Sequence, residues 1–408
     1  MGKEHPTGLM GSGNLVFAFC LPPEGVEFFG MRKAEFAINR RVVAMNTKFL
    51  PRSIYFLLLL NLLTGLLSGC SRSPTRSAPT LAATNSVYWP TDAWRTSSPE
   101  EQGMDSQKLA QMLEAIQQQR LNFHSLLIIR HGYLVSETYF GTYQADTRHE
   151  LYSCTKSFVS TLIGIALDQG IIDRTDHRVL DFFPGRTFDH LDSLKEAITL
   201  DDLLTMRAGL DWQEGDPAYR AMYQSKDWVQ FVLDESMAQA PGSLFNYCSG
   251  CSHVLSTILQ QATGRNPRDF AEQYLFKPLG ISNFKWDSDA DGIPIGGWGL
   301  QLTPRDMAKL GYLYLRNGQW DGQQVVSAQW VENATQKHTE TGNGLGYGYQ
   351  WWTVPSLGAY AALGLYGQMI FVNPESDLII VTTAQLNNHD KIFQLIEQTI
   401  LPAVQKSR

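Results

Sequence analysis

The stretch SCTKSFVSTLIGIALDQG (153–170) decides how this chain is read. Phe158, Leu162, Ile165 and Ala166 recur at helical spacing, so a helix buried along that face is expected from Thr155 to Gln169, with Gly170 as its C-cap. Ser153 and Lys156 stand at its start. Spacing i, i+3 sets hydroxyl and amine on one helix face, within reach of each other. A free serine hydroxyl is a poor nucleophile, and a neighbouring amine can take its proton. That amine must be neutral part of the time, which burial achieves by penalising the charged form. The helix N-terminus adds backbone N–H groups that can stabilise an oxyanion. A second Ser-x-x-Lys, Ser282 to Lys285, follows Pro278-Leu279-Gly280 in a loop, where no helix fixes the geometry.

Around this helix the pattern runs strands, helices, strands. An amphipathic helix is expected over 105–119, on Leu109, Met112, Leu113 and Ile116. LLIIR (126–130) and YLVSETYF (133–140) read as a hairpin turning at His131-Gly132. From 199 to 335 the pattern is helical, with segments at 199–206, 226–235, 251–262, 267–275, 303–316 and 327–335, and a loop at 211–219. Strand signals return at 347–352, 358–363, 368–373 and 377–384, followed by a helix over 388–404. The expected fold is α/β of the α+β kind: a central antiparallel sheet flanked by helices, plus a helical subdomain, with the site in the cleft between them.

Two further motifs follow Ser153 in order. Tyr247-Cys248-Ser249 precedes an apolar helix, and Leu365-Tyr366-Gly367-Gln368 opens a strand. The order Ser-x-x-Lys, Tyr-x-Ser, x-x-Gly resembles the penicillin-recognising serine enzymes, in particular the class C β-lactamase group with its D-aminopeptidases, esterases and 6-aminohexanoate-dimer hydrolases. TLDDLLTMRAGLDW (199–212), PGSLFNYCSGCSHVLS (241–256), GGWGLQLTPRDMAKLGYLYLRNGQWDGQQVV (296–326) and YGQMIFVNPESDLIIV (366–381) resemble that group as well, so the likeness covers about 96–404.

The resemblance implies a β-lactamase/transpeptidase-like fold and a serine hydrolase that cleaves an ester or amide through an acyl-enzyme. It makes Ser153 the nucleophile, Lys156 its proton partner, and Tyr247 a second acid/base whose phenolate Lys156 favours. The backbone N–H groups of Ser153 and Gln368 form the oxyanion hole, with Gly367 and Tyr366 beside it. Ser249 stands where class C enzymes place an amide-contacting Asn, and Leu365 where β-lactamases place Lys. Without that cation, esters or simple amides are expected over penicillins. The substrate is a small ester, amide or peptide, and the pocket walls are expected from 211–222 and 286–298. Three alternatives stand beside this one: a lipoprotein that binds penicillin or a cell-wall peptide with little turnover, a true class C-like β-lactamase, and a redox lipoprotein using Cys248 and Cys251.

A single Cys-x-x-Cys is not a zinc site, since four ligands are needed, and the βαβ setting of a redox motif is missing. The plain reading of Cys248 and Cys251 is small packing residues, the pairing of Cys154, Cys248 and Cys251 stays open with at least one of them unpaired within the monomer, and Cys154 lies off the face shared by Ser153 and Lys156. No metal or organic cofactor is implied. No Gly-x-Ser-x-Gly surrounds Ser153, so a triad with His149 is not expected.

The 408 residues are 43% hydrophobic and 18% charged, with a net charge of −7. Such a composition excludes a mainly disordered chain, and the acidic balance speaks against nucleic-acid partners. SIYFLLLLNLLTGLL (53–67) is uncharged, too short to span a bilayer, and of signal-peptide length. Arg40, Arg41, Lys48 and Arg52 precede it, and Leu67-Ser68-Gly69-Cys70 resembles a bacterial lipobox. The expected organisation is an N-terminal extension over 1–44, a lipoprotein signal peptide over 45–70, a flexible linker over 71–95 and the hydrolase domain over 96–404. Lipidation at Cys70 would tether the protein to a membrane of the bacterial cell envelope, facing the periplasm or exterior.

Overall fold

The computed structural model describes residues 88–405. The expected signal peptide, Cys70 and most of the linker lie outside the described residues. In chain order the main elements are α1 (Ser106–Gln118), β1 (Phe123–Arg130), β2 (Tyr133–Tyr139), β3 (His149–Glu150), α2 (Thr155–Asp168), α3 (Ser193–Glu196), α4 (Leu200–Leu204), α5 (Ala218–Gln224), α6 (Trp228–Asp234), α7 (Ser249–Thr263) and α8 (Pro267–Ala271). There follow β4 (Lys285–Trp286), β5 (Leu300–Leu302), α9 (Pro304–Leu315), β6 (Gln319–Trp320), β7 (Gln323–Gln324), α10 (Ala328–Thr335), β8 (Thr339–Glu340), β9 (Gly346–Tyr347) and β10 (Trp352–Val354). The chain closes with β11 (Ala359–Gly364), β12 (Gln368–Asn373), β13 (Leu378–Ala384), α11 (Asp390–Leu395) and α12 (Leu401–Ala403).

One eight-stranded sheet has the order β2-β1-β13-β12-β11-β10-β9-β8, antiparallel throughout. The two ends of the domain thus meet inside the sheet, where β1 pairs with β13 from Phe123↔Ala384 to Arg130↔Leu378. Every residue of β12 and β13 is buried, so both faces of the central sheet are covered. On one face Gly311 of α9 packs against Ile370, Val372 and Ile379. Helix α7 packs against α2, α4, α6 and α8 and centres the helical subdomain. The expected α+β arrangement is the observed one. Among the described residues no helix is long and apolar enough to cross a membrane.

Local chemistry accounts for the element boundaries. Asp105 caps α1 by accepting from Gln107 N and Lys108 N. Thr199 and Asp202 form a reciprocal capping box on α4. His131 and Gly132 both take positive φ, as a two-residue hairpin turn demands.

Several expectations are corrected. Helix α2 is buried on all sides from Thr155 to Ala166, not along one face, because it threads between sheet and helices. The loop expected over 211–219 runs into α5 at Ala218. The strand expected over 347–352 is two short strands, β9 and β10, separated by a turn in which Gln350 is left-handed. The last helix is interrupted by a π-helical turn over Ile396–Ile400. A small sheet, β3-β5-β4, carries no sequence signal because its strands are two or three residues long. Cys248 and Cys251 are joined by a disulfide and are not merely packing residues.

Candidate active site

Ser153 lies in a 3-10 turn, Tyr152–Cys154, that runs directly into α2. Tyr152 is left-handed at φ 47°, a costly conformation for a bulky residue and one that concentrates at functional sites. The same holds for Tyr366 at φ 64°, and the two rings meet edge to face at 5.3 Å. They bring the third motif beside the first. Two contacts secure the junction. Cys154 Sγ donates to Gln368 O at 3.4 Å. At Gly364 any Cβ would lie 2.2 Å from Leu151 O, so the end of β11 abuts the turn holding Ser153 with no room for a side chain.

The Gln368 side chain faces the fold. Its amide donates to Leu365 O and Ala384 O, both at 2.9 Å, and its oxygen accepts from Ala384 N. Gly367 O accepts from Thr382 Oγ1 at 2.7 Å. The 365–368 turn is therefore held from below, which leaves its backbone as the part able to serve a substrate.

Lys156 is 1% exposed. As an ammonium its Nζ donates to Ser153 Oγ at 3.0 Å, Ser249 Oγ at 2.9 Å and Gly297 O at 2.8 Å. Burial pulls the amine down to about 8, against the nearby Glu214 carboxylate, which favours the ammonium. At that value a substantial neutral fraction exists near neutral pH, as a proton acceptor requires.

Tyr247 stacks on Trp352 and presents its ring to Lys156 Nζ, 4.9 Å from the centroid. Burial, and then the Glu214 charge, hold its hydroxyl well above the usual phenol range, while the nearby Ser153 side chain pulls the titration down. The expectation that Lys156 favours a phenolate here runs against these surroundings, which favour the neutral phenol at Tyr247 and the neutral amine at Lys156.

Ser249 opens α7, 1% exposed. It joins Lys156 to a residue that the sequence reading missed. Glu214 accepts from Ser249 Oγ at 2.5 Å, Ser249 N at 2.9 Å, Trp212 Nε1 at 2.7 Å and the Tyr219 hydroxyl. A carboxylate at a helix N-terminus is favoured by the dipole. The nearest sequence signal was its position just after DW (211–212), at the end of a stretch already noted.

The two segments expected to wall the pocket meet. Trp298 lies 5.3 Å from Tyr219, 5.9 Å from Tyr223 and 6.0 Å from Trp228, ring centre to ring centre, which gives an aromatic wall beside Gly297. Ser282 is exposed, and Lys285 of β4 pairs with Asp287 just beyond that strand, so the second Ser-x-x-Lys takes no part. His149 stacks on His124 and meets the tilted ring of Tyr143. Among the described residues no group of three or more His, Cys, Asp or Glu side chains is arranged to hold a metal ion.

The sequence model of the Beta-lactamase family matches residues 100–404. The chain belongs to that family. By this membership it is a serine hydrolase. A 6-aminohexanoate-dimer hydrolase of Paenarthrobacter ureafaciens is 26% identical over 287 residues, covering 63% of this chain and 71% of that protein. Two solved Beta-lactamase-fold structures are similar in shape. A family VIII carboxylesterase superposes with a TM-score of 0.62 at 14% identity, covering 75% of this chain and 98% of its own. The octameric penicillin-binding protein homologue from Pyrococcus abyssi gives 0.58 at 18%, covering 74% and 78%.

Proposed function

We propose that the protein cleaves an ester or simple amide of a small molecule through an acyl-enzyme on Ser153. The observation that carries this is the buried Lys156 amine at 3.0 Å from Ser153 Oγ. Neutral Lys156 takes the Ser153 proton as Oγ bonds to the substrate carbonyl carbon. The backbone N–H groups of Ser153 and Gln368 receive the oxyanion, where one donor is worth about 2.7–4 kcal/mol. When the tetrahedral adduct collapses, the bond to the leaving group breaks. That group gains a proton from Tyr247, whose surroundings favour the neutral phenol beside the nucleophile. The phenol is restored by the Lys156 ammonium. Water then attacks the acyl-enzyme by the same path in reverse.

Leu365, where β-lactamases place a cation, and the aromatic wall at Trp298 favour uncharged esters and amides over penicillins. The test is labelling and turnover. A fluorophosphonate should label Ser153, and the same preparation should release product from a nitrophenyl ester. Labelling without turnover would instead indicate a binding lipoprotein. Lipidation at Cys70 and attachment to the cell envelope complete this reading. Cys70→Ala should leave the protein unprocessed or outside the membrane fraction, and mass spectrometry of an intact N-terminus would overturn it.

A further inference from the structure

We infer that Glu214 is a positioning residue: by fixing the hydrogen-bond direction of Ser249 it aims the Lys156 lone pair at Ser153. The inference rests on the reading of Lys156 as the base.

Donors and acceptors around Glu214 fix the direction of each bond. Ser249 N and Trp212 Nε1 are N–H groups and can only donate, at 2.9 and 2.7 Å to Glu214 Oε2. The other oxygen, Oε1, faces two hydroxyls, Ser249 Oγ at 2.5 Å and that of Tyr219. An ionised carboxylate only accepts, so the Ser249 proton is committed to it. Ser249 Oγ then turns a lone pair to Lys156, 2.9 Å away. Gly297 O, at 2.8 Å, is a carbonyl and also only accepts.

A neutral amine has two N–H bonds and one lone pair. Both N–H bonds are claimed, by Ser249 Oγ and Gly297 O. The lone pair is left for the third neighbour, Ser153 Oγ at 3.0 Å, which must then donate. Were Ser249 free to donate, it would compete with Ser153 for that lone pair. Glu214 removes the competitor and supplies the negative charge that favours the ammonium formed when Ser153 is deprotonated.

Glu214→Gln tests this with nearly unchanged shape. The two N–H groups at Oε2 still require an acceptor, so the amide oxygen stays there and the amide nitrogen faces Ser249 Oγ. It donates where the carboxylate accepted, and the Ser249 proton is driven toward Lys156. Expected in Glu214→Gln is a fall in kcat for a neutral ester of about ten- to hundredfold with KM little changed, the size of one charged hydrogen bond. The acid limb of kcat/KM should move to lower pH, because the ammonium loses its neighbouring charge. In a Ser249→Ala background the misdirecting hydroxyl is gone, so Glu214→Gln should cost less there than in the wild type.

Wild-type kcat and an unmoved acid limb in Glu214→Gln would overturn the inference. So would a loss that is additive with Ser249→Ala and tracks a lowered Tm, since that is what mere structural support predicts. The underlying reading fails separately: Lys156→Met or Ser153→Ala would then retain ester turnover. If those two are inactive while Glu214→Gln matches wild type, only the inference on Glu214 falls.

Discussion

Gly297 O accepts a hydrogen bond from Lys156 Nζ at 2.8 Å, although 141 positions separate the two residues. The approach is tight for any side chain at 297. A Cβ at 297 would lie 3.0 Å from Ser249 O and 3.2 Å from Ser249 Cβ. The segment that offers the carbonyl thus rests on the first turn of α7, and the two acceptors of Lys156 protons are fixed to each other through that contact.

Gly297→Ala should therefore push the carbonyl away from Lys156. Overpacking of this kind costs about 1–3 kcal/mol, and kcat for an ester should drop by about tenfold as the amine loses a partner. Steady-state kinetics and a thermal melt measure both effects. Unchanged kcat would remove Gly297 from the arrangement of the base.

Ser153→Ala should abolish ester turnover, leaving at most what binding and the oxyanion donors supply. Ser282→Ala should be nearly silent, because that serine is exposed in a loop and its lysine pairs with Asp287. Equal losses in the two variants would refute the assignment of the nucleophile.

Only neutral Lys156 can take the Ser153 proton, and burial places its amine at about 8. Hence kcat/KM for an uncharged ester should rise with pH and level off above about 8. Lys156→Arg keeps the charge but not the titration, since guanidinium stays protonated, so it should be inactive at every pH tested. A flat profile across neutral pH in the wild type would contradict the role of the amine.

A short-chain nitrophenyl ester should be preferred to a chromogenic cephalosporin. A cation at the third motif offers a charged hydrogen bond to the drug's carboxylate, about 1.5–3 kcal/mol, or roughly ten- to hundredfold in kcat/KM. Leu365 offers none. Leu365→Lys should raise the cephalosporin value, and a wild-type cephalosporin value at or above the ester value would reverse the preference.

What could be read from sequence was whatever repeats along the chain. The hairpin at His131-Gly132 and strands β12 and β13 announce themselves through local pattern and turn chemistry. The pair Ser153 and Lys156 is legible because three residues of helix fix their relation. The rest of the site is not, because it is assembled by tertiary contact. Glu214 meets Ser249 across 35 positions, and in a loop beside Gly215 and Asp216 a glutamate reads as a solvated charge. Strands β3, β4 and β5 exist only as one another's partners. The ionisation of Tyr247 depends on burial and on Glu214, neither of which the Tyr-x-Ser spacing reveals.

The Cys248–Cys251 bond brackets Ser249 and follows Tyr247, so it crosslinks the backbone between two groups of the site. Cys248 Sγ also accepts from Cys251 N at 2.9 Å, which caps α7. Such bonds persist where thiols are oxidised and open in a reducing cytosol. The redox conditions in which the chain matures therefore bear on the covalent state of the first turn of α7. A preparation in which the bond is open would carry two thiols beside Ser249, so the oxidation state has to be known before rates are compared.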